Sequence, residues 1–545
     1  MIEEPLARYD LGDTPSVLGT RAVEPSPDLT RVLGLPERPP IEHETVRALS
    51  RALNSKDGML RPHQALALRE LYEVGGFAAP LRVGAGKTLI ALLAPTLLDA
   101  QRPVLVTRAR LIDEARIEHL NYRAAGWDVR LPRLLSYEKI SQPSGEWDLD
   151  RLAPDLLIFD EAHKLKNLKS AASVRRVARA IQTYAPRVAM LSGSLFSADL
   201  MKFWHVLLWA LGPSAPVPLN YQEAKLWSRA LNPKNDGFDT VSRGALDQLG
   251  DFWEHLSSRR GIVPTLGEDC KARIALSRWE PDLPPALSDL ITEVAQTRTR
   301  PDGELLEDTE YAECLTQLAQ GFWYCWDPLP PDHWREARKA YYRYERAVVE
   351  AHLDGFDSPF AVVQALDHGT RRAPDHELGV ALRQRWLAVR DEYDPAKNRG
   401  TVWIDDTPLR AAADCPQGTL IWTRHAAALE RLGQLGVPTF GGGGADPRRR
   451  HKGKTCALSI AAHATGKNYQ AWNRNRVLTL PASSELLEQL MGRTHRPGQK
   501  AEQVSFEMYT GTDYARDVLS RVRSAALADG EAARFEFKIT KGTWS

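Results

Sequence analysis

The segment Gly84-Ala-Gly-Lys-Thr88, which the apolar residues 89–93 follow directly, decides the fold that we predict. Its two glycines permit a tight turn, and the apolar run indicates a helix that begins at this turn. The backbone N–H groups of such a turn and of the helix N-terminus attract phosphate oxygens. The segment therefore predicts a phosphate-binding loop, with Gly84, Ala85, Gly86, Lys87 and Thr88 as nucleotide-binding residues.

A second motif, Asp160-Glu161-Ala162-His163, follows the apolar residues 156–159, which are typical of a buried strand. Ligands of open α/β sheets bind at the carboxyl ends of the strands. We therefore expect Asp160 to bind Mg²⁺, directly or through water, and Glu161 to orient or deprotonate an attacking water. Lys87 would reach the β and γ phosphates, and the Thr88 hydroxyl would be the other magnesium ligand. Each motif alone also occurs in surface turns, but together they predict a site for ATP and Mg²⁺.

Strand patterns and helical stretches alternate in two parts of the chain, which is typical of parallel sheets covered on both faces. The strongest strand patterns are residues 103–107, 155–159, 187–191, 419–423, 456–460 and 476–480. Between these parts lie long charged and aromatic helical segments that proline interrupts. We predict an α/β protein with an N-terminal extension (1–57), an ATP-binding first lobe (58–213), a mainly helical insertion (214–412) and a second α/β lobe with a C-terminal tail (413–545).

Composition excludes several classes of protein. The 545 residues are 43% apolar and 26% charged, and no apolar run approaches the about 18 residues of a membrane span. The acidic N-terminus does not resemble a secretory signal, and the five cysteines form no Cys-x-x-Cys pair. We therefore expect a cytoplasmic protein without a membrane partner, a disulfide framework or a zinc site. Because the net charge is only +1, nucleic acid would be bound by local basic patches.

The segment Gln489-Leu-Met-Gly-Arg-Thr-His-Arg-Pro-Gly-Gln499 is the most distinctive in the second α/β part. Its arginines, Arg493 and Arg496, are spaced so that a helix would put both on one face. This segment resembles motif VI of Swi/Snf-like ATPases of helicase superfamily 2. The same family is indicated, in the same order of motifs, by Leu60-Arg-Pro-His-Gln64, by DEAHKLKN (160–167), by Leu191-Ser-Gly-Ser194 and by His463-Ala-Thr-Gly-Lys-Asn-Tyr469.

The resemblance covers residues 60–212 and 419–499 and implies two RecA-like lobes of the P-loop NTPase fold. It implies that Gln64 contacts the adenine edge and that Gly466 lets the backbone approach a ligand closely. Gln489, Arg493 and Arg496 would face the nucleotide from the second lobe, where the arginines neutralise charge on the transferred γ-phosphoryl group. The implied function is that of an ATP-dependent nucleic-acid motor, a translocase or helicase with double-stranded DNA as the favoured track.

The chain departs from the family pattern in three places. Leu81 stands where a small residue is usual, Ser194-Leu195 stands where Thr-Pro is usual, and residues 463–469 contain less glycine than the family segment. The segment 191–194 would couple the nucleotide state to movement of the lobes. The residues Lys467 and Asn468 would contact either nucleotide or nucleic acid, and the segments 107–110 and 136–138 either contact a phosphate backbone or are ordinary polar loops. The compact chain also resembles helicase-like proteins of tailed phages.

Two segments outside these motifs combine basic residues with loops or aromatic residues. Arg448-Arg-Arg-His-Lys-Gly-Lys454 has five basic residues in seven and is either a solvated loop or a phosphate contact. The second segment has one stripe of residues at helical spacing, namely Trp334, Ala337, Tyr341, Tyr344 and Val348. This pattern favours core packing over base stacking. An aromatic cluster is likewise expected to anchor the insertion; it consists of Phe322, Trp323, Tyr324 and Trp326.

Other functions remain open from the sequence. The chain could be a nucleotide-gated DNA-binding module that recruits partners, or the motor subunit of a restriction or defence assembly. The presence of Lys87, Asp160, Glu161, Arg493 and Arg496 together argues against the first, because a switch need not retain both arginines. The choices between DNA and RNA, and between strand separation and translocation alone, are also open.

Overall fold

The computed structural model describes residues 26–82, 84–142, 145–166, 172–193, 195–196, 199–231, 246–266, 270–303, 306, 308–351, 359–368, 373–394, 397–442, 446–533 and 536–545. These residues divide into two units. The first is made by the described residues within Met1–Gly267, Glu345–Ala373 and Ala528–Phe535. The second is made by those within Glu268–Tyr344, Pro374–Leu527 and Glu536–Ser545.

The first unit is built on a parallel sheet of five strands, in the order β1-β5-β4-β2-β3. The strands are β1 (Gly76–Pro80), β2 (Pro103–Thr107), β3 (Arg133–Ser136), β4 (Leu156–Asp160) and β5 (Arg187–Ser192). The three strands predicted in this part of the chain are confirmed as β2, β4 and β5. Their near-continuous apolar sequences agree with burial on both faces, which a parallel sheet covered by helices requires.

Alternate residues of these strands enter two different cores. Val104, Leu157 and Met190 pack in a core on one face, whereas Leu105 and Ile158 pack in a core on the other. This alternation is the period of two that a β-strand imposes on its side chains. The sheet thus separates two helical layers, and its carboxyl edge holds the ends of β1, β4 and β5.

The helices of the first unit include two in the region assigned by sequence to the N-terminal extension. Leu29 and Val32 of α1 enter one core, and Val46 and Leu53 of α2 enter the other, so residues 26–57 belong to the packed unit. The helices are α1 (Pro27–Leu33), α2 (His43–Leu53), α3 (Pro62–Val74), α4 (Lys87–Leu97), α5 (Ile112–Ala124), α6 (Tyr137–Ser141), α7 (Gly145–Leu152), α8 (Ala172–Tyr184), α9 (Trp204–Leu211), α10 (Tyr221–Leu231) and α11 (Phe252–Ser258).

The second unit contains a parallel sheet of seven strands, in the order β10-β11-β9-β12-β13-β6-β14, and an antiparallel pair, β7 and β8. The strands are β6 (Arg273–Trp279), β7 (Phe322–Trp326), β8 (Arg399–Trp403), β9 (Thr419–Thr423), β10 (Thr439–Phe440), β11 (Cys456–Ser459), β12 (Arg474–Val477), β13 (Gln503–Tyr509) and β14 (Thr543–Trp544). The predicted strands 419–423 and 456–460 correspond to β9 and β11. The pattern at 476–480 begins two residues too late, because β12 includes the polar residues Arg474 and Asn475.

The stretch 214–412, predicted as one mainly helical insertion, is divided between the units. Its residues up to 266 belong to the first unit, where the backbone of Val263 hydrogen-bonds that of Ala78 in β1. Farther along, β6 pairs with β13 over seven residues within the second sheet. The C-terminal strand β14 continues this sheet beyond β6.

The remaining helices lie wholly or mainly in the second unit, except the one at Pro359–His368, which belongs to the first. They are α12 (Pro285–Thr297), α13 (Asp308–Leu318), α14 (Asp332–Glu350), α15 (Pro359–His368), α16 (His376–Val389), α17 (Thr407–Ala413), α18 (Ala426–Gln434), α19 (Pro447–Arg450), α20 (Ile460–His463), α21 (Ser484–Met491), α22 (Asp513–Ala533) and α23 (Lys538–Lys541). The predicted packing stripe of α14 is confirmed, because Trp334, Ala337, Tyr341 and Val348 are buried and Tyr344 is half-buried. Phe322 likewise enters the core beside Ile421.

Two further observations concern the chain as a whole. None of the helices formed by the described residues combines the length and apolar character needed to cross a bilayer. All five cysteines are free, and Cys314 and Cys456 are buried.

Candidate functional site

Residues 84–86 form a tight turn that leads into α4. Gly84 and Gly86 have φ angles of +90° and +76°, which favour glycine, and Gly86 is the N-cap residue of α4. Two residues at the N-terminus of α3 hydrogen-bond to this loop. Arg61 Nη1 donates to the Gly84 carbonyl at 2.7 Å, and His63 Nε2 donates to the Ala85 carbonyl at 2.9 Å. The loop is therefore fixed before any ligand binds.

Gln64 takes part in the same support. Its Oε1 accepts a hydrogen bond from the Arg61 backbone at 2.8 Å, and its Nε2 donates to the Gly86 carbonyl at 3.2 Å. A Cβ atom added to Gly86 would lie 2.3 Å from Gln64 Nε2, so a larger residue there would displace the end of this side chain in addition to straining φ. The side chain of Gln64 is buried and positions the loop, whereas its adenine contact stays a prediction.

Lys87 lies beside the two carboxylates of the second motif. Its Nζ donates to the carbonyls of Leu81 and Arg82 at 3.0 and 3.3 Å, and its charge lowers the pKa of both Asp160 and Glu161. The unexpected Leu81 has a fully buried side chain that packs in the core, while its carbonyl holds the lysine. The structure thus brings together Lys87, Asp160 and Glu161, as the two motifs predicted.

Asp160 ends β4 in a setting that disfavours its ionised form. Burial, followed by the negative charge of Glu161, raises its pKa from 3.8 to about 6. The Thr107 hydroxyl donates to Asp160 Oδ2 at 3.2 Å, and the Tyr137 hydroxyl donates to the Asp160 carbonyl at 2.9 Å. An adjacent cation would restore the ionised carboxylate, so the environment of Asp160 is suited to a metal ion.

The pKa of Glu161 is shifted in the opposite direction. Burial alone would raise its pKa, but polar contact with His163 and the positive charges of Lys87 and Arg108 outweigh burial and hold the pKa below its ordinary value. Glu161 Oε2 lies 3.3 Å from His163 Nδ1, and the residue adopts a left-handed φ of +56°. The two adjacent carboxyls therefore have pKa values shifted in opposite directions: Glu161 stays ionised well into the acid range, whereas Asp160 titrates near pH 6.

His163 links the second motif to the segment 191–194. Arg108 Nη2 donates to His163 Nε2 at 3.4 Å, which places the ring proton on Nδ1. Nδ1 lies 3.0 Å from the Ser192 hydroxyl. Sequence reasoning identified both segments but missed this contact, for which a histidine following two carboxylates is the only local signal. Asn167 and Ser194, also named from the sequence, lie outside the described residues.

The described residues contain no group of three or more His, Cys, Asp or Glu side chains that could hold a metal ion. A Mg²⁺ ion in a nucleotide site needs less, because one or two side chains, phosphate oxygens and waters complete its octahedron. Asp160 and the hydroxyl of Thr88, the second residue of α4, supply the oxygen ligands that this ion prefers. The residues present are thus compatible with magnesium bound together with a nucleotide.

In the second unit, the predicted helical arrangement of the two arginines is wrong. Helix α21 ends at Met491, and residues 492–498 form turns, so Arg493 and Arg496 do not share a helix face. Arg493 is buried, and its guanidinium donates to the carbonyls of Gln489 and Lys467, each at 2.8 Å. Arg496 is half-buried. Arg493 therefore ties the segment 489–499 to the segment 463–469.

The segment 463–469 is organised around a buried histidine. His463 Nδ1 accepts from the Tyr469 hydroxyl at 2.5 Å and from Lys467 Nζ at 3.1 Å, while Nε2 donates to the Gly441 carbonyl at 3.2 Å. Burial, followed by the charge of Lys467, lowers the pKa of His463 to about 4, so the ring is neutral. Gly466 has a φ of +79°, as expected for a glycine that allows a close backbone turn.

The basic segment 448–454 includes the short helix α19. Arg448 is paired with Asp446, the N-cap residue of α19, through an Nη2–Oδ2 contact of 2.6 Å. The other four basic side chains of the segment are exposed. An intermolecular phosphate contact is thus available mainly to Arg449, Arg450, Lys452 and Lys454.

Comparison with protein families found no family model that matches the chain. A comparison with curated proteins likewise found no match.

Proposed function

We propose that the protein is an ATP-dependent nucleic-acid motor, a DNA translocase or helicase in which two RecA-like lobes cooperate in ATP hydrolysis. One observation supports this most strongly: a lysine at the start of a glycine-capped helix lies beside two half-buried carboxyls whose pKa values are shifted in opposite directions. Perturbed titratable groups of this kind cluster at functional sites. Phosphate binding by the loop and cation binding by Asp160 are both typical of nucleoside triphosphate hydrolysis.

The residues of the first unit have distinct roles in this proposal. The loop N–H groups and Lys87 bind the phosphates. Asp160 and Thr88 would hold Mg²⁺, which would neutralise part of the phosphate charge. Glu161 accepts a hydrogen bond from the attacking water, whose oxygen bonds to the γ-phosphorus as the bond to the ADP oxygen breaks. The proton lost by the water passes to an oxygen of the released phosphate. Because its pKa is lowered, Glu161 is a weak base, and it is better suited to orient the water than to remove its proton early.

The proposal is tested by measuring phosphate release from ATP without nucleic acid and with duplex DNA, single-stranded DNA or RNA. We expect stimulation by nucleic acid, greatest for duplex DNA. Lys87→Ala should lose this turnover, because the β and γ phosphates lose their fixed counter-charge. Equal rates under all four conditions would contradict a motor function, and turnover by Lys87→Ala would contradict the site.

One observation favours the alternative of a nucleotide-gated binding module. The guanidinium of Arg493 is bound to two carbonyls of its own unit, so its availability to a phosphate is reduced. Arg496→Ala distinguishes the two functions. In a motor it should keep ATP binding and lose about three powers of ten in stimulated turnover, as with other arginine fingers. Unchanged turnover would favour the module.

A further inference from the structure

The second unit contains a cleft of about 510 Å³ that none of the motifs predicted. It is lined by Arg278 near the end of β6, by Thr510 directly after β13 and by Trp544 of β14. These positions are at the carboxyl ends of neighbouring parallel strands, where ligands of α/β sheets bind. The cleft lies outside the part of the chain that resembles the helicase family.

One wall of the cleft is a single stripe of helix α22. It consists of Arg516, Leu519, Ser520, Arg523, Ser524 and Leu527, which recur at intervals of one, three or four residues on one face. At 1.5 Å per residue, this stripe is about 16 Å long. An extended ligand, rather than a single small ion, matches a wall of this length.

The polar side chains of the cleft include several donors without partners. Among the residues that the structure describes, Arg278 and Arg523 make no ion pair, and the exposed hydroxyls of Ser520 and Ser524 make no hydrogen bond. The indole Nε1 of Trp544 is shielded from solvent and has no acceptor. Buried donors are normally satisfied, so this N–H points to a missing acceptor.

The charged side chains that line the cleft are all arginines, and the α-carboxylate of Ser545, the last residue of the sequence, is a negative group among the lining residues. Arg516 pairs with Asp513 at 2.6 Å and lies 4.0 Å from Glu280, which also accepts a hydrogen bond from the Thr510 hydroxyl at 2.9 Å. Arg523 lies over the Trp544 ring at 5.7 Å and so leaves its own N–H groups to a ligand. Hydrogen-bond donors, uncompensated positive charge and an aromatic ring together are typical of grooves that bind a nucleic-acid strand.

We propose that this cleft binds the phosphodiester backbone of a nucleic-acid strand, with Arg278 and Arg523 as the principal phosphate contacts. The proposal rests on the proposed function for its ligand class, since it gives the motor a contact with its track outside the resembling motifs. Its test measures binding alone. A chain that bound DNA at this cleft without hydrolysing ATP would therefore contradict the proposed motor function but support the proposed binding site.

The test is the equilibrium binding of fluorescein-labelled single-stranded and duplex DNA to the full chain, followed by anisotropy over a range of salt concentrations. Each lost phosphate contact lowers the slope of log K against log salt by about 0.7 for a single strand and about 0.9 for a duplex. The double variant Arg278→Gln/Arg523→Gln should therefore lose about 1.4 in slope, or about 25-fold in affinity for a single strand at 0.1 M salt.

The matched control is Arg273→Gln/Arg521→Gln, which removes the same charge from the same strand and helix but outside the cleft. We expect the control to bind nearly as wild type does, and Arg278→Lys/Arg523→Lys to keep the slope, because the charge remains. An equal loss in the control would show that net charge alone is responsible and would overturn the proposal. Wild-type affinity in the Gln variant would also overturn it. So would inorganic phosphate, if it competed for the cleft as strongly as DNA does.

Discussion

Asp160→Asn should stabilise the nucleotide-free protein, and increasingly so as the pH rises. The cause is the raised pKa of this carboxyl, about 6 in the folded chain against an ordinary value of 3.8. Between these values the folded protein retains a proton that the unfolded chain has lost, so stability falls with rising pH and then levels off above pH 6. Asparagine has no proton to lose and can still accept the hydrogen bond from Thr107.

The magnitude follows from the difference of the two pKa values. At about 1.4 kcal/mol per pKa unit, ionising Asp160 costs the folded state about 1.6 kcal/mol at pH 5 and about 3 kcal/mol at pH 8. The gain in stability from Asp160→Asn should therefore increase by about 1.4 kcal/mol between these two pH values. Such a gain is expected where a functional carboxyl is held in an unfavourable setting.

The assay is urea unfolding of the wild type and the variant at pH 5 and pH 8, with EDTA present and no nucleotide. Asp113→Asn serves as a control, because Asp113 is exposed and solvent screens its charge. An unchanged difference between wild type and Asp160→Asn at the two pH values would refute the argument. A difference that shrinks as the pH rises would refute it as well.

Three further predictions concern the loop, the C-terminal segment and the basic segment. Gly86→Ala should destabilise the chain and weaken ATP binding in a titration, whereas Gly75→Ala, also at positive φ but without neighbours within 4 Å, should show only a strain of about 1–2 kcal/mol. Lys538→Met should lower the free energy of unfolding by about 3–5 kcal/mol, because buried Glu488 loses its ion-pair partner, and adding Glu488→Leu should restore most of this stability; thermal unfolding measures both changes. Replacing the exposed basic residues of 448–454 with Gln should flatten the salt dependence of DNA binding; an unchanged slope would show that they are only solvated.

The sequence was most informative where local pattern and structure coincide. Continuous apolar runs predicted β2, β4 and β9, because strands buried on both faces need apolar residues at every position. The two motifs of the first unit also predicted that Lys87 and the carboxylates would meet, since both follow strands at one edge of the sheet. Neither prediction required knowledge of distant pairing.

Features that depend on distant pairing were not predictable. Strand β6 alternates between apolar and polar residues and is separated by more than 200 residues from β13, its partner. The two-residue strand β14 has no local signal. Arg493 likewise hydrogen-bonds to the Lys467 and Gln489 carbonyls because the chain turns after α21. The spacing of the two arginines, which fits a helix, gave no sign of these turns.

The measurement that tests the central claim most directly compares wild type with Glu161→Gln for both ATP binding and DNA-stimulated phosphate release. The substitution keeps the size of the side chain and removes only the charge that orients the water. We predict that ATP affinity stays within a few-fold of wild type and that phosphate release falls by at least about two powers of ten, the usual contribution of a positioned acid–base group. Phosphate release at the wild-type rate would show that Glu161 is not part of a hydrolytic site and would contradict the account.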